Sequence, residues 1–375
     1  MSSKLFTPLQ VGSMNLKHRL VLAPLTRFRA DDSHVPLPFV KDYYAQRASL
    51  PGTLLITEAT FISPRASGYP NVPGIWNSEQ ARAWKEVTDA VHAKGSYIFV
   101  QLWALGRTAN PAIKAAEGTG DVISSSPTPM AADKPTPREL TEKEIWEYVA
   151  DYAAAARLAV EEAGFDGVEI HGANGYLVDQ FIQDRVNTRT DRWGGSIENR
   201  ARFAFEVTKA VVKAVGSDKT GIRLSPWSMF QGMRMADPVP QFKYVIEGLR
   251  DIGLAYLHLV SSRVAPGAHL ESREGEGDER LDFAFEAWRD AAPVLLAGGF
   301  KPESARATVD EELRDRDVAI VFGRLYISNP DLPFKILKGL PLTPYNRDTF
   351  YNPKSEEGYI DQPFSKEYLE SEAKL

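Results

Sequence analysis

His171, Asn174 and Tyr176 fall within six consecutive residues, in the run His171-Gly-Ala-Asn174-Gly-Tyr176. A histidine and an asparagine so placed can both donate hydrogen bonds to one oxygen and polarise a carbonyl or nitro group. The Tyr176 phenol, protonated at neutral pH, suits a proton donor better than a base. A second constellation lies nearer the C-terminus, in Ala297-Gly-Gly-Phe300 and Phe322-Gly-Arg-Leu325. Glycines let backbone N–H groups approach an anion, and Arg324 can grip it with two hydrogen bonds. From the residues alone, His171 can also be a buried histidine tied to backbone, and Gly298, Gly299 and Gly323 can simply serve tight turns. Nor does a phosphate site by itself separate a cofactor's phosphate from a substrate's.

Composition narrows the chemistry. The 375 residues include no cysteine, which excludes disulfides, thiol catalysis, thiolate-held zinc and iron–sulfur clusters. The six histidines are scattered, with no HExxH-like pair, so no metal site is expected. Apolar residues at 43% and charged residues at 25% are the balance of a globular enzyme. A net charge of -6 gives no electrostatic reason to expect DNA or RNA as a partner. No apolar stretch reaches the roughly 18 residues of a membrane span, and Met1 to Val11 does not read as a signal peptide. The expected address is cytoplasmic, although Ala373-Lys374-Leu375 resembles a peroxisomal tripeptide of the SKL type.

Eight short apolar runs, bounded by turn residues, must position these groups: Arg19–Ala23, Leu54–Thr57, Tyr97–Leu102, Gly167–Ile170, Gly221–Leu224, Tyr256–Val260, Val294–Ala297 and Val318–Phe322. Most are continuous rather than alternating, as parallel strands covered on both faces should be. Helical patterns lie between them. Thr141 with Glu144 forms a capping box ahead of Ile145, Val149, Tyr152, Ala156, Ala159 and Ala163, and Gly164 stops the run. Ser78 to Ala93 and Ile197 to Val215 read as helices, and Asp237-Pro238 opens another. Strand–helix alternation repeated eight times predicts an α/β fold, a (β/α)8 TIM barrel forming one domain over residues 1–375. The alternative, a doubly wound sheet, would usually show a GxGxxG after an early strand, and none is present. Leu9 to Leu16 reads as a hairpin around Gly12-Ser13, capping the barrel's N-terminal end. Two βα-loops are long, Gly106 to Leu140 and Arg263 to Leu281, and the polar stretch Glu271 to Arg280 in the second is expected to act as a lid.

In such barrels chemistry sits where strands end. Those positions read Thr26, Glu58, Gln101, His171, Arg223, Ser261, Gly298-Gly299 and Gly323-Arg324. None is a lysine, which weakens Schiff-base and pyridoxal chemistry. The loops after strands seven and eight are the usual phosphate site of a barrel.

These residues carry a family resemblance. Leu22-Ala-Pro-Leu-Thr-Arg-Phe-Arg29, Leu55-Ile-Thr-Glu-Ala-Thr60, Val100-Gln-Leu-Trp103, Val168-Glu-Ile-His-Gly-Ala-Asn-Gly-Tyr176, Arg192-Trp-Gly-Gly-Ser-Ile-Glu-Asn-Arg200, Arg223-Leu-Ser-Pro226 and Arg347-Asp-Thr-Phe-Tyr351 resemble the old yellow enzymes, in order, from about Leu5 to Asp361. Val35-Pro-Leu-Pro-Phe-Val40 and Gln46-Arg-Ala-Ser49 are similar to the fungal chanoclavine-I aldehyde reductase branch. The resemblance implies a non-covalent FMN, reduced by NADPH and reoxidised by an activated alkene. It implies that Pro24, Leu25, Thr26 and Ala59 line the flavin ring, that Gln101 bonds its pyrimidine edge and that Arg223 stabilises the reduced form. Gly298, Gly299, Gly323 and Arg324 would hold the phosphate. His171 and Asn174 would bind the substrate oxygen, Tyr176 would protonate Cα, and Trp103, Phe230 and Tyr351 would shape the substrate pocket. Ala59 stands where many relatives have glycine, and Gly299 where asparagine is frequent. The expected partner is a small-molecule activated alkene, with no nucleic acid or membrane, and the chain a monomer or homodimer. A phosphosugar aldolase or isomerase and a non-catalytic barrel are the competing functions.

Overall fold

A computed structural model describes residues 3–262 and 279–373. Residues 271–278 of the expected lid and the final two residues of the C-terminal tripeptide lie outside the described residues.

Chain order begins with an antiparallel hairpin, β1 (Leu9–Val11) and β2 (Met14–Leu16), in which Leu9 faces Leu16 and Val11 faces Met14. Gly12 turns it at φ +53°, and a side chain there would drive into the Asp218 carbonyl. Next come β3 (Leu20–Leu22), β4 (Leu54–Phe61), β5 (Tyr97–Trp103), a short pair β6 (Ile123–Ser124) and β7 (Arg138–Glu139), β8 (Gly167–Gly172), β9 (Thr220–Leu224), β10 (Tyr256–Val260), β11 (Val294–Ala297) and β12 (Val318–Phe322). Eight of these close a parallel barrel in the order β3-β4-β5-β8-β9-β10-β11-β12. The expected (β/α)8 fold is therefore present. Its seam joins residues 300 positions apart, Leu20 beside Ile320 and Leu22 beside Phe322.

Two apolar layers hold the barrel. The outer one packs helices onto strands, for instance Trp84 and Val91 of Ser78–His92, Tyr152 of Glu142–Glu161 and Phe203 of Ile197–Val215. The Thr141–Glu144 capping box is formed, with each residue's backbone N–H donating to the other's side chain. The inner layer is the barrel's own floor: Leu9, Val11, Met14 and Leu16 of the hairpin pack against Leu54, Phe99, Tyr256, Leu295 and Ala319. The hairpin thus caps the N-terminal end. Two glycines make room for rings there. A side chain on Gly167 would strike Phe99, and one on Gly221 would strike Tyr256.

Two expectations change. The long connection after β5 is ordered: it carries a helix, Pro111–Glu117, and the β6–β7 pair. And β4 does not end before Glu58 but runs to Phe61, through a bulge where Ile56 pairs Phe99 and Ala59 already pairs Gln101. One extra residue on β4 re-aims its side chains. The Thr57 hydroxyl accepts from the Gln101 N–H at 3.2 Å in place of a ladder carbonyl.

Candidate active site

At the C-terminal ends of the strands lies a cavity of about 840 Å³, lined by Pro24, Leu25, Thr26, Asn174, Arg223, Gly298, Gly299, Gly323, Arg324 and Tyr351, among others. That is the size of a pocket for a cofactor-sized molecule. The expected phosphate residues come together at one side of it. Gly299 adopts φ +69°, a left-handed conformation that glycine and asparagine tolerate best. Gly323 packs against Leu25, whose Cδ2 would lie 3.3 Å from any added Cβ, a tight contact. The Arg324 guanidinium lies 5.4 Å from the centre of the Tyr345 ring.

On the other side, β8 delivers His171 and the loop beyond it delivers Asn174 and Tyr176. Asn174 sits at φ +59°, its N–H donating to the Ser225 hydroxyl at 2.8 Å. Its Oδ1 is buried without a partner, as are Arg223 Nε and Trp103 Nε1. Buried polar atoms are rarely left unpaired, and since Asn174 and Arg223 both line the cavity, a ligand's donors and acceptors can complete them.

Three rings form a cluster beside this lining. Trp103 lies edge-on to Tyr176 at 4.7 Å, His171 meets Tyr176 at 4.8 Å, and Trp103 stacks along His171 at 6.2 Å. Burial, then the charges of Arg223 and His258, push the His171 pKa well below its ordinary value, so the imidazole is neutral. Its Nδ1 accepts from the Ala173 N–H at 3.4 Å, which leaves the proton on Nε2 as a donor. Burial, with Tyr69 adding to it, pushes the Tyr176 phenol up, so it keeps its proton.

The sequence-derived residues do not all reach the cavity wall. Trp103 is fully buried, stacked on Phe61 at 5.2 Å, and backs the ring cluster. Ala59 packs in the same apolar cluster. Gln101 is buried, its Nε2 donating to Glu169 Oε1 at 2.7 Å. Phe230 begins the short 3-10 turn Phe230–Gly232 and is half-buried. Tyr351 is 57% exposed and edge-on to Phe28 at 5.7 Å. Glu58, read as a strand end, is turned away by the bulge and accepts the Arg27 N–H at 3.0 Å. Burial raises its carboxyl to about 7 against the pull of Arg27 and Arg29.

Two features escaped the sequence reading. Arg27 and Arg29, both buried, clamp the C-terminal segment across the mouth: Arg27 donates to the Phe350 and Gly358 carbonyls at 3.0 and 2.7 Å, and Arg29 to those of Phe350, Ser355 and Glu357. Beneath the cavity, Glu169, Tyr256 and His258 form a buried polar network. The signal for it was available, since Glu169 and His258 are lone polar residues inside the apolar runs Val168-Glu-Ile170 and Leu257-His-Leu259.

Known proteins are similar to this chain over nearly its whole length. The family model described as NADH:flavin oxidoreductase / NADH oxidase matches residues 4–343. A chanoclavine-I aldehyde reductase of Penicillium roqueforti is 62% identical over 98% of this chain and 98% of its own. A protein of Epichloe festucae var. lolii named a probable inactive reductase is 57% identical, over 98% and 97%. The crystal structure of the old yellow enzyme from Pichia sp. AKU4542 superposes with a TM-score of 0.89 at 38% identity, covering 97% of this chain and 94% of that one.

Proposed function

Since the chain belongs to the NADH:flavin oxidoreductase / NADH oxidase family, we propose that it is an FMN-dependent ene-reductase. It takes reducing equivalents from NADPH and reduces the double bond of an α,β-unsaturated aldehyde, ketone or nitroalkene. The observation that carries this is the Trp103, His171 and Tyr176 ring cluster, set beside a cavity into whose lining Asn174 Oδ1 and Arg223 Nε come without a partner.

The lining fits FMN. Gly298, Gly299, Gly323 and Arg324 would hold the phosphate, and Pro24, Leu25 and Thr26 would flank the ring, with Ala59 packed in the apolar cluster of Phe61 and Trp103. Arg223, whose unpartnered Nε has a donor to give, would meet its polar edge, and Gln101 lies buried in the strand two places before Trp103. Bound there, FMN supplies the chemistry no side chain here can, accepting a hydride from NADPH and returning one to the substrate's Cβ.

The chain's own residues do the rest. His171 Nε2–H and the Asn174 amide bind the carbonyl or nitro oxygen and stabilise the charge that builds on it. A neutral donor serves better here than imidazolium, which would hold the oxygen too tightly before reaction. Tyr176 gives its proton to Cα, and solvent restores it. The edge of Trp103 keeps the phenol in place, while Phe230 and Tyr351 bound the substrate. The relative named for an aldehyde puts aldehydes first in a substrate panel, and the retained Tyr176 and His171 argue for activity even though another relative is named inactive.

Purified protein loaded with FMN should bleach under anaerobic NADPH and recolour when an enal or enone is added. A chain that takes up no FMN, or whose reduced flavin ignores every activated alkene, sinks the proposal. The former result would favour a phosphosugar enzyme or a binding scaffold.

A further inference from the structure

Beneath the ring cluster, four barrel strands point polar side chains inward, all buried except Arg223, which reaches the cavity. Gln101 on β5 and Glu169 on β8 are paired in register, as are His171 on β8, Arg223 on β9 and His258 on β10. Glu169 is fully buried, and both its oxygens are taken. Oε1 accepts Gln101 Nε2 at 2.7 Å, while Oε2 accepts the Tyr256 hydroxyl at 3.0 Å and His258 Nδ1 at 2.8 Å. Tyr256 reaches it only because Gly221 has no side chain in the way.

Three donors on one carboxylate favour its ionised form. Burial pushes Glu169 up, but His258, then the charge of Arg223 and the Gln101 hydrogen bond, hold it below its ordinary value. It makes no ion pair with Arg223 among the described residues, and Arg223 keeps a buried, unpartnered Nε beside the cavity. The two charges therefore balance across the barrel without the carboxylate capturing the guanidinium. A carboxylate can only accept, so it also fixes which way the Gln101 amide is turned, with Nε2 toward Glu169.

Building on the FMN reading above, we infer that Glu169, seated on Tyr256 and His258, is a positioning residue and counter-charge that sets the reduction potential of the bound flavin. It orients Gln101 and subtracts from the positive field that Arg223 presents to the ring. Between buried side chains such a field is weakly screened, so the charge of Glu169 matters more than its shape.

The test is the midpoint potential of the FMN-loaded protein, measured against reference dyes, with FMN affinity measured alongside. Glu169→Gln keeps the shape and removes the charge. The preference for reduced over oxidised flavin should rise about tenfold, a positive shift of about 30 mV for a two-electron couple. Glu169→Asp keeps the charge on a shorter arm and should stay within about threefold of the wild type, even with looser FMN binding. The reverse pattern, a silent Glu169→Gln and a shifted Glu169→Asp, would mean a packing role and overturn the inference.

If Glu169→Gln does not fold by near-UV circular dichroism, Tyr256→Phe with His258→Gln strips two donors and leaves the charge. The plot of potential against pH should then gain a break that the wild type lacks, as Glu169 begins to protonate. A plot without that break overturns the inference. A wild-type chain that takes up no FMN removes the cofactor reading and this inference with it. One that binds FMN while Glu169→Gln keeps the wild-type potential removes only this inference.

Discussion

The two ends of the barrel are built on opposite plans. At the N-terminal end, the hairpin from Leu9 to Leu16 presses side chains into an apolar floor. At the C-terminal end, Trp103 and Arg223 on the strands and Asn174 in the loop after β8 each have a buried polar atom left unpaired. One end minimises free energy by burying apolar surface, and the other holds unsatisfied groups in reserve for a ligand. The difference separates stability from activity by position along the strands, so variants at the two ends should fail in different ways.

The largest effect is expected at the mouth. Tyr176→Phe should slow reoxidation of the reduced flavin by an enone about 100-fold or more, while its reduction by NADPH stays within about twofold. Stopped-flow measurement of the two half-reactions checks this, and a parallel fall in both would remove Tyr176 from the proton-donor role. At the floor, Val11→Asp places a charge where Val11 has no exposure and should cost about 3 kcal/mol or more in urea unfolding. FMN affinity of the folded fraction should not change. If it weakens in step with stability, the two ends are not separable.

A smaller effect is expected for His171→Ala, which should weaken binding of a phenol, and its long-wavelength charge-transfer band, by about tenfold. Because the His171 pKa is depressed by burial, phenol affinity of the wild type should be flat from about pH 6 to about pH 8 with respect to this group. A step in that window would mean the ring titrates.

The smallest effect concerns Glu58, whose carboxyl is raised to about 7 by burial. A folded-state pKa above the unfolded one means the fold binds an extra proton between the two. Its contribution is present below about 4.5 and lost as pH rises through about 7. Glu58→Gln should therefore gain on the wild type by on the order of 1 kcal/mol between pH 5 and pH 8. A constant difference across that range would contradict the raised pKa.

Much of the scaffold was legible in the chain. Val318–Phe322, Tyr256–Val260, Val294–Ala297 and the helix Ile197–Val215 fall where the apolar runs and turn residues place them. So do the hairpin and the glycines that gather at the last two strands. The bulge in β4 was not legible, because an extra residue leaves an apolar run looking like any other, and Glu58 was misplaced as a result. Nor does hydropathy tell which face of a strand points inward when both faces are covered. That is why Glu169, Tyr256 and His258 did not announce themselves as one network. Arg27 and Arg29 were hidden for another reason, since their partners are backbone carbonyls more than 320 positions away, which carry no side-chain signature.

The barrel's seam has a consequence for how the protein is made. Strand β3 can pair with β4 early but cannot find its second neighbour until β12 exists, and the arginine clamp waits for Phe350 and Gly358. While the ribosome is still working, the nascent chain is an open, incomplete ring, and any cofactor must be acquired after synthesis is nearly finished.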